Sequence, residues 1–287
     1  MTDAPKTSPS PRVPRLMLVT DRHRTRIPLA HLVQQALAGG VDGVQLREKD
    51  LAPMALTALA ERLVAVIPDT VPLLVNGDVQ LATRFRTGVH LPEKGPPVAV
   101  ARAALGSRVL IGRSVHSPEE AANSAGADYV LAGNVFETGS KPGRDGIGLD
   151  RLRQIIEAAP ARVLAIGGIN VGNAEQVLEA GAHGIAVISA IAAADSPVAA
   201  SKELREIVER STVSVMDEQN QTSIVVNGKE NSVSPGTTVA SFLASKGFQD
   251  RLVVVERNGS ILSRADFAST TLQPNDRLEI VHFVGGG

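Results

Sequence analysis

The strongest constraint on the fold is an eightfold alternation of short apolar runs with amphipathic segments, which begins at Arg15. The apolar runs are rich in β-branched residues, and Ala- and Leu-rich segments such as Pro53 to Ile67 have helical periodicity. Repeated strand–helix units of this kind predict a parallel sheet covered by helices. The predicted strands span residues 15–20, 43–47, 72–76, 88–91, 109–114, 129–133, 162–168 and 184–189.

Eight such units close into a (β/α)8 barrel, and we predict this α/β fold for residues 15–210. The rival is an open doubly wound sheet. It is disfavoured because eight consecutive units would make an unusually wide sheet, and because the first turn lacks Gly-x-Gly-x-x-Gly. Residues 1–14 are rich in Pro and Ser without an apolar core, so they predict a disordered leader rather than a signal peptide or membrane span.

Charge and cysteine content limit the partners of the chain. The 287 residues carry 29 Lys and Arg against 30 Asp and Glu, a formal net charge of −1, which gives no overall basic field for nucleic acid or a membrane surface. The absence of cysteine excludes disulfides, thiolate metal sites and thiol nucleophiles. A reducing compartment is permitted, and we expect a cytoplasmic location.

The barrel prediction directs attention to the loops at the carboxyl ends of the strands. The second strand runs into QLREKD, which sets Arg47 and Lys49 at its end with Gln45 on the same face as Arg47. Two cations and an amide suit a phosphate or pyrophosphate; a solvated charged loop is the alternative. Gly167 and Gly168 follow the seventh strand, where barrels often bind phosphate through backbone N–H groups.

A glycine-rich segment, residues 133–148, follows the sixth strand and predicts a mobile loop able to close over an anion. A plain surface loop is the alternative. Two histidines at strand ends, His90 and His116, are candidates for proton transfer, although lone histidines are more often structural. The polar residues of the loop are Asn134, Glu137, Thr138, Ser140, Lys141 and Arg144.

Seven segments, taken in order, resemble the thiamine-phosphate synthase superfamily over residues 15–208. They are LMLVTD, GVQLREKD, LLVNG, GRSVHS, AGADYVLAGNVFETGSKPG, VLAIGGIN and AGAHGIAVISAI. The superfamily has two branches. The synthase joins a pyrimidine pyrophosphate to a thiazole phosphate, and the TenI-like thiazole tautomerase aromatises the thiazole beforehand.

The branches differ in their need for Mg²⁺, which prefers carboxylate oxygens. The synthase pattern has Asp directly after the Asn of the third strand, where this chain has Gly77 and a displaced Asp78. It also reads like HLGQED after the fourth strand, where this chain has HLPEKG and retains Glu93. The VNG, HLP, GRSVHS and GNVFETGSK segments resemble the tautomerase, so the sequence favours the isomerase.

The resemblance implies a site as well as a reaction. The tautomerase substrate is a dihydrothiazole carboxylate with an ethyl phosphate tail, and neither a metal nor another cofactor is expected. Gly168, Ile188 and Ser189 match the phosphate cradle of the superfamily. Ser114, Thr138, Ser140 and Lys141 match positions around the thiazole and its charged groups. Gln45, Arg47, Lys49 and Asn76 match positions that hold the second substrate or the carboxylate.

One position departs from the tautomerase pattern. Tautomerases read GHVFET in the loop, with the histidine as the proposed acid–base, and this chain has Asn134 there. An amide does not titrate near neutral pH. Glu137, Lys141 or His116 is then the candidate for the proton transfer; the alternatives are weak turnover or a barrel that only binds.

The C-terminal residues predict a second domain. Residues 211–222 are polar and predict a linker. Residues 223–287 predict a hairpin with Asn227-Gly228 at its turn, a helix over 237–247, a strand with an Asn258-Gly259 turn and a last strand, which together form a small β-grasp.

This domain resembles the sulfur carrier ThiS in VVNGK, VVVERNG and NDRLEIVHFVGGG, which ends at Gly287. Such carriers are adenylated by a ThiF-like adenylyltransferase, converted to a thiocarboxylate and used by a thiazole synthase. Glycines leave the tail narrow enough to enter an active site as an extended segment.

Three hypotheses follow: a tautomerase fused to a sulfur carrier, a thiamine-phosphate synthase fused to the carrier, and a non-catalytic barrel that binds thiazole phosphate. The resemblance also leaves a homo-oligomer open.

Overall fold

The computed structural model describes residues 12–138, 145–219, 222–248 and 253–282. The chain divides into two compact units, Met1–Ser211 and Thr212–Gly287. Among the described residues, no helix combines the length and the apolar character needed to cross a membrane.

The first unit is a closed barrel of eight parallel strands, which confirms the predicted (β/α)8 fold. Neighbouring strands pair in chain order, and β1 pairs with β8 through Met17 and Ala186, which closes the sheet. The strands are β1 (Leu16–Val19), β2 (Gly43–Leu46), β3 (Leu73–Asn76), β4 (Gly88–Leu91), β5 (Ile111–Val115), β6 (Tyr129–Gly133), β7 (Arg162–Ile166) and β8 (Gly184–Val187).

Helices connect these strands and cover the outside of the barrel. Local signals explain several helix starts: Pro53 begins its helix, and the side chains of Asp78 and Ser117 accept hydrogen bonds from backbone N–H groups of the first turn. The helices are α1 (Leu29–Ala38), α2 (Pro53–Val66), α3 (Val79–Phe85), α4 (Val98–Leu105), α5 (Pro118–Ala122), α6 (Gly148–Ala158), α7 (Ala174–Glu179), α8 (Ser189–Ala192) and α9 (Pro197–Gln219).

Alternation along each strand separates two apolar layers. Outward side chains such as Leu18 and Val44 pack against the helices in the larger cluster. Inward side chains fill the barrel interior: Met17, Val19, Leu74, Leu110, Tyr129, Leu131, Leu164 and Ala186. At the carboxyl ends of β2 to β5 the corresponding positions are polar, because Gln45, Asn76, His90 and Ser114 follow the same alternation. The barrel therefore has an apolar floor and a polar upper end.

Several predicted boundaries differ from the structure. β5 begins at Ile111 and continues to Val115, and residues 167–168 and 188–189 lie beyond β7 and β8. Val13 and Pro14, which the sequence placed in the leader, pack against the barrel. Residues 1–11 lie outside the described residues.

The helix that the sequence ended near Arg210 is longer in the structure. α9 continues to Gln219, so residues 211–219 of the predicted linker are helical. This stretch contains neither Gly nor Pro and ends in the helix-compatible residues Met216 to Gln219, which explains why the helix continues past Arg210.

The second unit is a five-stranded mixed sheet with strand order β10-β9-β13-β11-β12, consistent with the predicted β-grasp. The Asn-Gly turns lie where the sequence placed them, with positive φ at Asn227 and Asn258 and at the glycines that follow. Helix α10 buries Val239, Phe242 and Leu243 in the core of this unit. Its elements are β9 (Thr222–Val226), β10 (Lys229–Val233), α10 (Val239–Ser245), β11 (Val253–Arg257), β12 (Ser260–Leu262) and β13 (Arg277–His282).

Candidate functional site

One cavity of about 590 Å³ opens at the carboxyl ends of the barrel strands. It brings together most of the site residues predicted from the sequence. Those that line it are Gln45, Arg47, Lys49, Asn76, Ser114, His116, Asn134, Thr138, Gly168, Ile188 and Ser189. Such convergence is expected from the fold, because βα loops meet at this end of a barrel.

A pair of amides forms one wall of the cavity. The Gln45 side chain is buried and donates from Nε2 to Asn76 Oδ1 at 3.1 Å. Gln45 Oε1 is buried without a hydrogen-bond partner among the described residues. Two amides joined by one hydrogen bond leave one complete NH2 group and one C=O acceptor for a third group, whichever residue supplies each. The unpaired acceptor therefore favours a ligand that carries an N–H group.

Arg47 and Lys49 place two cations on the cavity side of the loop after β2. The proximity of Arg47, together with burial, lowers the pKa of Lys49. Two like charges held close together favour an anionic ligand, because an anion relieves their repulsion.

The alternate residues of the same loop, Glu48 and Asp50, bind Arg22 instead. The Glu48 carboxylate accepts hydrogen bonds from the Arg22 backbone N–H at 3.1 Å and from Nη1 at 3.2 Å. Asp50 accepts two hydrogen bonds from the Arg22 guanidinium, both at 2.6 Å. Arg22 thus fixes the side of the loop that faces away from Arg47 and Lys49.

A hydrogen-bonded series leads from the barrel interior to the cavity wall. Tyr129 OH lies 3.1 Å from His90 Nδ1, and His90 Nε2 lies 2.8 Å from Ser114 Oγ. Burial, helped by Arg47 and Arg113, lowers the pKa of His90 to about 3, so its imidazole is neutral at physiological pH. Burial also raises the pKa of Tyr129, which keeps its hydroxyl protonated.

The opposite wall has the features of a phosphate cradle. Gly168 has a φ of +68°, and a Cβ there would lie 2.6 Å from the Glu137 carbonyl oxygen, so glycine allows the close approach of the two loops. Asn173 Nδ2 donates to Gly168 O at 3.0 Å and fixes this turn. α8 begins at Ser189 without a side-chain cap, so its first backbone N–H groups face the cavity end without intrahelical partners.

The acid–base candidates do not converge on one position. Asn134 is buried and donates from Nδ2 to Phe136 O at 3.2 Å. His116 lines the cavity with its Nε2 3.9 Å from Glu93 Oε2. Glu137 is exposed and is not among the lining residues. Ser140 and Lys141 lie outside the described residues.

The carboxylates near the cavity do not fit a magnesium site. Glu93 is the only carboxylate among the described residues that line the cavity. Asp78 serves instead as the cap of α3, where its Oδ1 accepts from Leu81 N–H at 2.8 Å. Within the part of the chain that the structure describes, no three His, Asp or Glu side chains gather as metal ligands do.

Lys94 lines the cavity without having been predicted from the sequence. His90 and Glu93, which the sequence analysis considered for proton transfer and for magnesium, also line it. The inward position of His90 follows from alternation along β4, so this signal was present in the sequence. The hydrogen bond between His90 and Tyr129 could not be predicted from the sequence, because the two residues are 39 positions apart.

In the second unit, the last strand leads toward the predicted reactive end. Asn227 Nδ2 donates to Ile280 O at 3.1 Å, and Asn227 Oδ1 accepts from Ile280 N–H at 2.7 Å. These two hydrogen bonds anchor β13 shortly before its last described residue, His282. Gly287 lies outside the described residues.

Comparisons with known proteins match both units. Residues 16–191 match the family model TMP-TENI, described as thiamine monophosphate synthase, and residues 219–287 match the ThiS family. A thiamine-phosphate synthase of Natronomonas pharaonis is 43% identical over 187 residues, which cover 63% of this chain and 87% of that protein. A thiamine-phosphate synthase of Thermobifida fusca is 43% identical over 197 residues, which cover 67% of this chain and 90% of that protein.

A solved structure gives the same result for the barrel. Thiamine phosphate pyrophosphorylase from Pyrococcus furiosus is 37% identical, has a TM-score of 0.62, and covers 69% of this chain and 96% of its own. These relatives are named for the synthase reaction. The comparisons therefore favour the synthase, which the sequence left as the alternative, over the tautomerase that it favoured.

Proposed function

Because the chain belongs to the thiamine monophosphate synthase (TMP-TENI) family and ends in a ThiS-family unit, we propose that its barrel is a thiamine-phosphate synthase fused to a sulfur carrier. The barrel joins an aminopyrimidine pyrophosphate to a thiazole phosphate. The C-terminal unit carries sulfur for the thiazole ring. Both activities belong to thiamine biosynthesis.

The observation that carries the synthase assignment is the amide pair of Gln45 and Asn76. An aminopyrimidine presents a ring nitrogen acceptor beside an amino N–H donor, which complements one amide donor and one amide acceptor. The dihydrothiazole carboxylate phosphate of the tautomerase reaction presents acceptors and would leave the buried Gln45 Oε1 unpaired. An unpaired buried polar group costs about 1–3 kcal/mol, which favours the aminopyrimidine.

The charges of the cavity suit the two anionic groups of the substrates. Arg47 and Lys49 bind the pyrophosphate beside the amide pair, and Gly168 and Ser189 bind the thiazole phosphate on the opposite wall. The thiazole nitrogen lone pair forms a C–N bond to the methylene carbon of the pyrimidine. The C–O bond to pyrophosphate breaks, and pyrophosphate leaves with the electron pair. The cations stabilise the negative charge that develops on the leaving group.

The family resemblance implies Mg²⁺ for this leaving group, and the described carboxylates do not fit it. Of the lining residues that the structure describes, Glu93 is the one carboxylate, and Asp78 is occupied as a helix cap. Among the described residues, we therefore assign the stabilisation of the pyrophosphate to the side chains of Arg47 and Lys49.

The test supplies the purified full-length chain with both substrates and measures pyrophosphate release. Release that requires the thiazole phosphate supports the synthase. A matched reaction supplies the dihydrothiazole carboxylate phosphate alone and follows aromatic absorbance. Aromatisation without pyrophosphate release in the first reaction would replace the synthase with the tautomerase, and the absence of both rates would leave a barrel that only binds.

The tautomerase is the second candidate, and the poor fit to magnesium favours it, because proton transfer needs no metal for a leaving group. It lacks a titrating group at Asn134, whose amide binds Phe136 O. His116, which lines the cavity, is its remaining described candidate for the acid–base.

The ThiS-family unit implies partners of its own. An adenylyltransferase activates the Gly287 carboxylate, sulfur replaces one oxygen, and a thiazole synthase accepts the sulfur. Activation by ATP and a ThiF-like enzyme, followed by mass spectrometry, tests this role. A chain that gains no sulfur under these conditions is not a carrier.

A further inference from the structure

The proposed function leaves one buried polar feature of the barrel unused. This is the series from Tyr129 through His90 to Ser114, which joins three strands and ends at the cavity wall. Tyr129 and His90 are buried and Ser114 is half-buried, and both His90 and Ser114 line the cavity. The series therefore leads from the apolar floor of the barrel to the ligand-binding surface.

The surroundings of Tyr129 determine the direction of the first hydrogen bond. Its ring packs among apolar residues such as Leu110, Leu131 and Leu164. Within the described part of the chain, His90 Nδ1 is the hydrogen-bond partner of the hydroxyl. If Nδ1 carried a proton and donated it, the Tyr129 O–H would lie in this apolar interior without an acceptor. Tyr129 therefore donates, and Nδ1 accepts.

The second hydrogen bond follows from the first. A neutral imidazole whose Nδ1 accepts carries its proton on Nε2. His90 Nε2 therefore donates to Ser114 Oγ, 2.8 Å away. Ser114 Oγ accepts the hydrogen bond from His90 Nε2. The hydroxyl proton of Ser114 is therefore available to donate to a group in the cavity.

Gly112 makes this arrangement possible. A Cβ at Gly112 would overlap the ring and the hydroxyl group of Tyr129. Glycine on β5 thus allows the Tyr129 side chain to cross the barrel interior and reach His90.

We propose that Tyr129 and His90 are positioning residues. They make Ser114 a hydrogen-bond donor to an acceptor atom of the heterocyclic substrate, an inference that rests on the proposed function. The series selects a ring nitrogen or oxygen with a lone pair at this point of the cavity and disfavours an N–H group. This role complements the amide pair of Gln45 and Asn76, which accepts an N–H group at another point.

The first test reads the tautomer of His90 in the free protein by ¹⁵N NMR of the imidazole nitrogens. The chain has 6 histidines, and the spectrum of His90→Gln identifies the signals of His90. We expect a protonated Nε2 and an unprotonated Nδ1 in the wild type. A protonated Nδ1 would overturn the proposal. This measurement needs no turnover, so it separates the proposal from the synthase assignment.

The second test is a double-mutant cycle on substrate binding and turnover. Ser114→Ala removes the donor, and Tyr129→Phe removes only the hydroxyl that orients it. We expect each to lower kcat/KM about tenfold, and the double variant to be no worse than Ser114→Ala alone, because both changes remove the same hydrogen bond. Losses that multiply in the double variant would show that Tyr129 acts only on packing and would overturn the proposal.

A control variant distinguishes the loss of the Tyr129 hydroxyl group from a general loss of stability. Leu131→Ala removes apolar contact from the same interior without a polar group. We expect it to lower thermal stability while the His90 tautomer stays unchanged.

If the substrates do not turn over, the same double-mutant cycle is measured on the dissociation constants of thiazole phosphate and of the aminopyrimidine pyrophosphate. A Ser114→Ala variant that binds both as tightly as the wild type would contradict the donor role.

Discussion

Gln45 shows how one residue limits the range of ligands that a cavity can bind. Its amide is held by Asn76 on one side and leaves an acceptor on the other. The sequence predicted Gln45 and Asn76 as binding residues separately. Their hydrogen bond, and the acceptor that it leaves, required the closed barrel, because the residues are 31 positions apart on neighbouring strands.

Replacing Gln45 should weaken the binding of one substrate and leave the binding of the other unchanged. Gln45→Met keeps the length of the side chain and removes the acceptor. We expect the dissociation constant of the aminopyrimidine pyrophosphate to rise about tenfold, since one hydrogen bond is lost, with that of thiazole phosphate unchanged. Isothermal titration calorimetry measures both. Gln34→Met on the exposed side of α1 is the control. An equal effect on both ligands would argue against the amide pair as an aminopyrimidine site.

Arg22 should act on the substrate through the loop after β2. Arg22→Ala frees Glu48 and Asp50, so these carboxylates can approach Arg47 and Lys49 and compete with the pyrophosphate. We expect KM for the pyrophosphate substrate to rise about fivefold with kcat nearly unchanged, the size of a partly exposed charge effect. Steady-state kinetics measures this. Arg26→Ala, which alters an exposed ion pair with Asp195, is the control and should leave KM at the wild-type value.

His90 should make the barrel sensitive to acid. Burial lowers its pKa in the folded protein to about 3, below its ordinary value of 6.5. Between these values the unfolded chain binds the extra proton, so stability is complete above pH 6.5 and falls as the pH drops toward 3. We expect a loss on the order of a few kcal/mol. Urea unfolding as a function of pH measures it, and His90→Gln should flatten the slope in this range. An unchanged slope would contradict the buried neutral histidine.

At the scale of elements, the sequence predicted which segments are strands and helices better than where they end. The β-branched runs and helical periodicity determine the eight units. The ends depend on tertiary contacts: Val13 and Pro14 are ordered against the barrel, although their composition predicted a leader. α9 extended past Arg210 because no Gly or Pro interrupts residues 211–219.

Asp276 should stabilise the loop that leads into β13. Its carboxylate accepts from Arg257 Nε at 2.8 Å, Asn258 Nδ2 at 2.7 Å and Gln273 N–H at 2.8 Å. Burial alone would raise its pKa, but these hydrogen bonds outweigh it and lower the pKa. The stabilisation is therefore present above the ordinary value of 3.8 and is lost as the pH falls from there through the lower pKa of the folded protein.

Asp276→Asn should cost the second unit about 2 kcal/mol at neutral pH, because the hydrogen bonds to the carboxylate are charge-assisted. Hydrogen exchange of the β13 amides measures the loss in that unit. Glu230→Gln on the exposed strand β10 is the control. Equal protection of β13 in both variants would contradict a stabilising role for Asp276.

At the scale of the whole molecule, the chain consists of two units with separate apolar cores. The composition change near residue 211 and the repeat count predicted both units. The sequence favoured the tautomerase through Gly77, although Asn134 departs from the tautomerase pattern. The relatives, which are named for the synthase, favour the other reaction.

The C-terminal unit should gain sulfur at its end. After treatment of the full-length chain with ATP, a ThiF-like adenylyltransferase and a sulfur donor, we expect a mass increase of about 16 Da, the replacement of one carboxylate oxygen by sulfur. Deletion of Gly287 should abolish the increase without altering the barrel reaction. A mass increase that survives the deletion would place the sulfur elsewhere.

The central claim is that the barrel couples the two heterocycles. Its most direct test is the mass and amount of the product when the purified chain receives the aminopyrimidine pyrophosphate and the thiazole phosphate together. We predict one thiamine phosphate for each pyrophosphate released. Formation of an aromatic thiazole from the dihydrothiazole isomer, with no coupled product from the two synthase substrates, would contradict it.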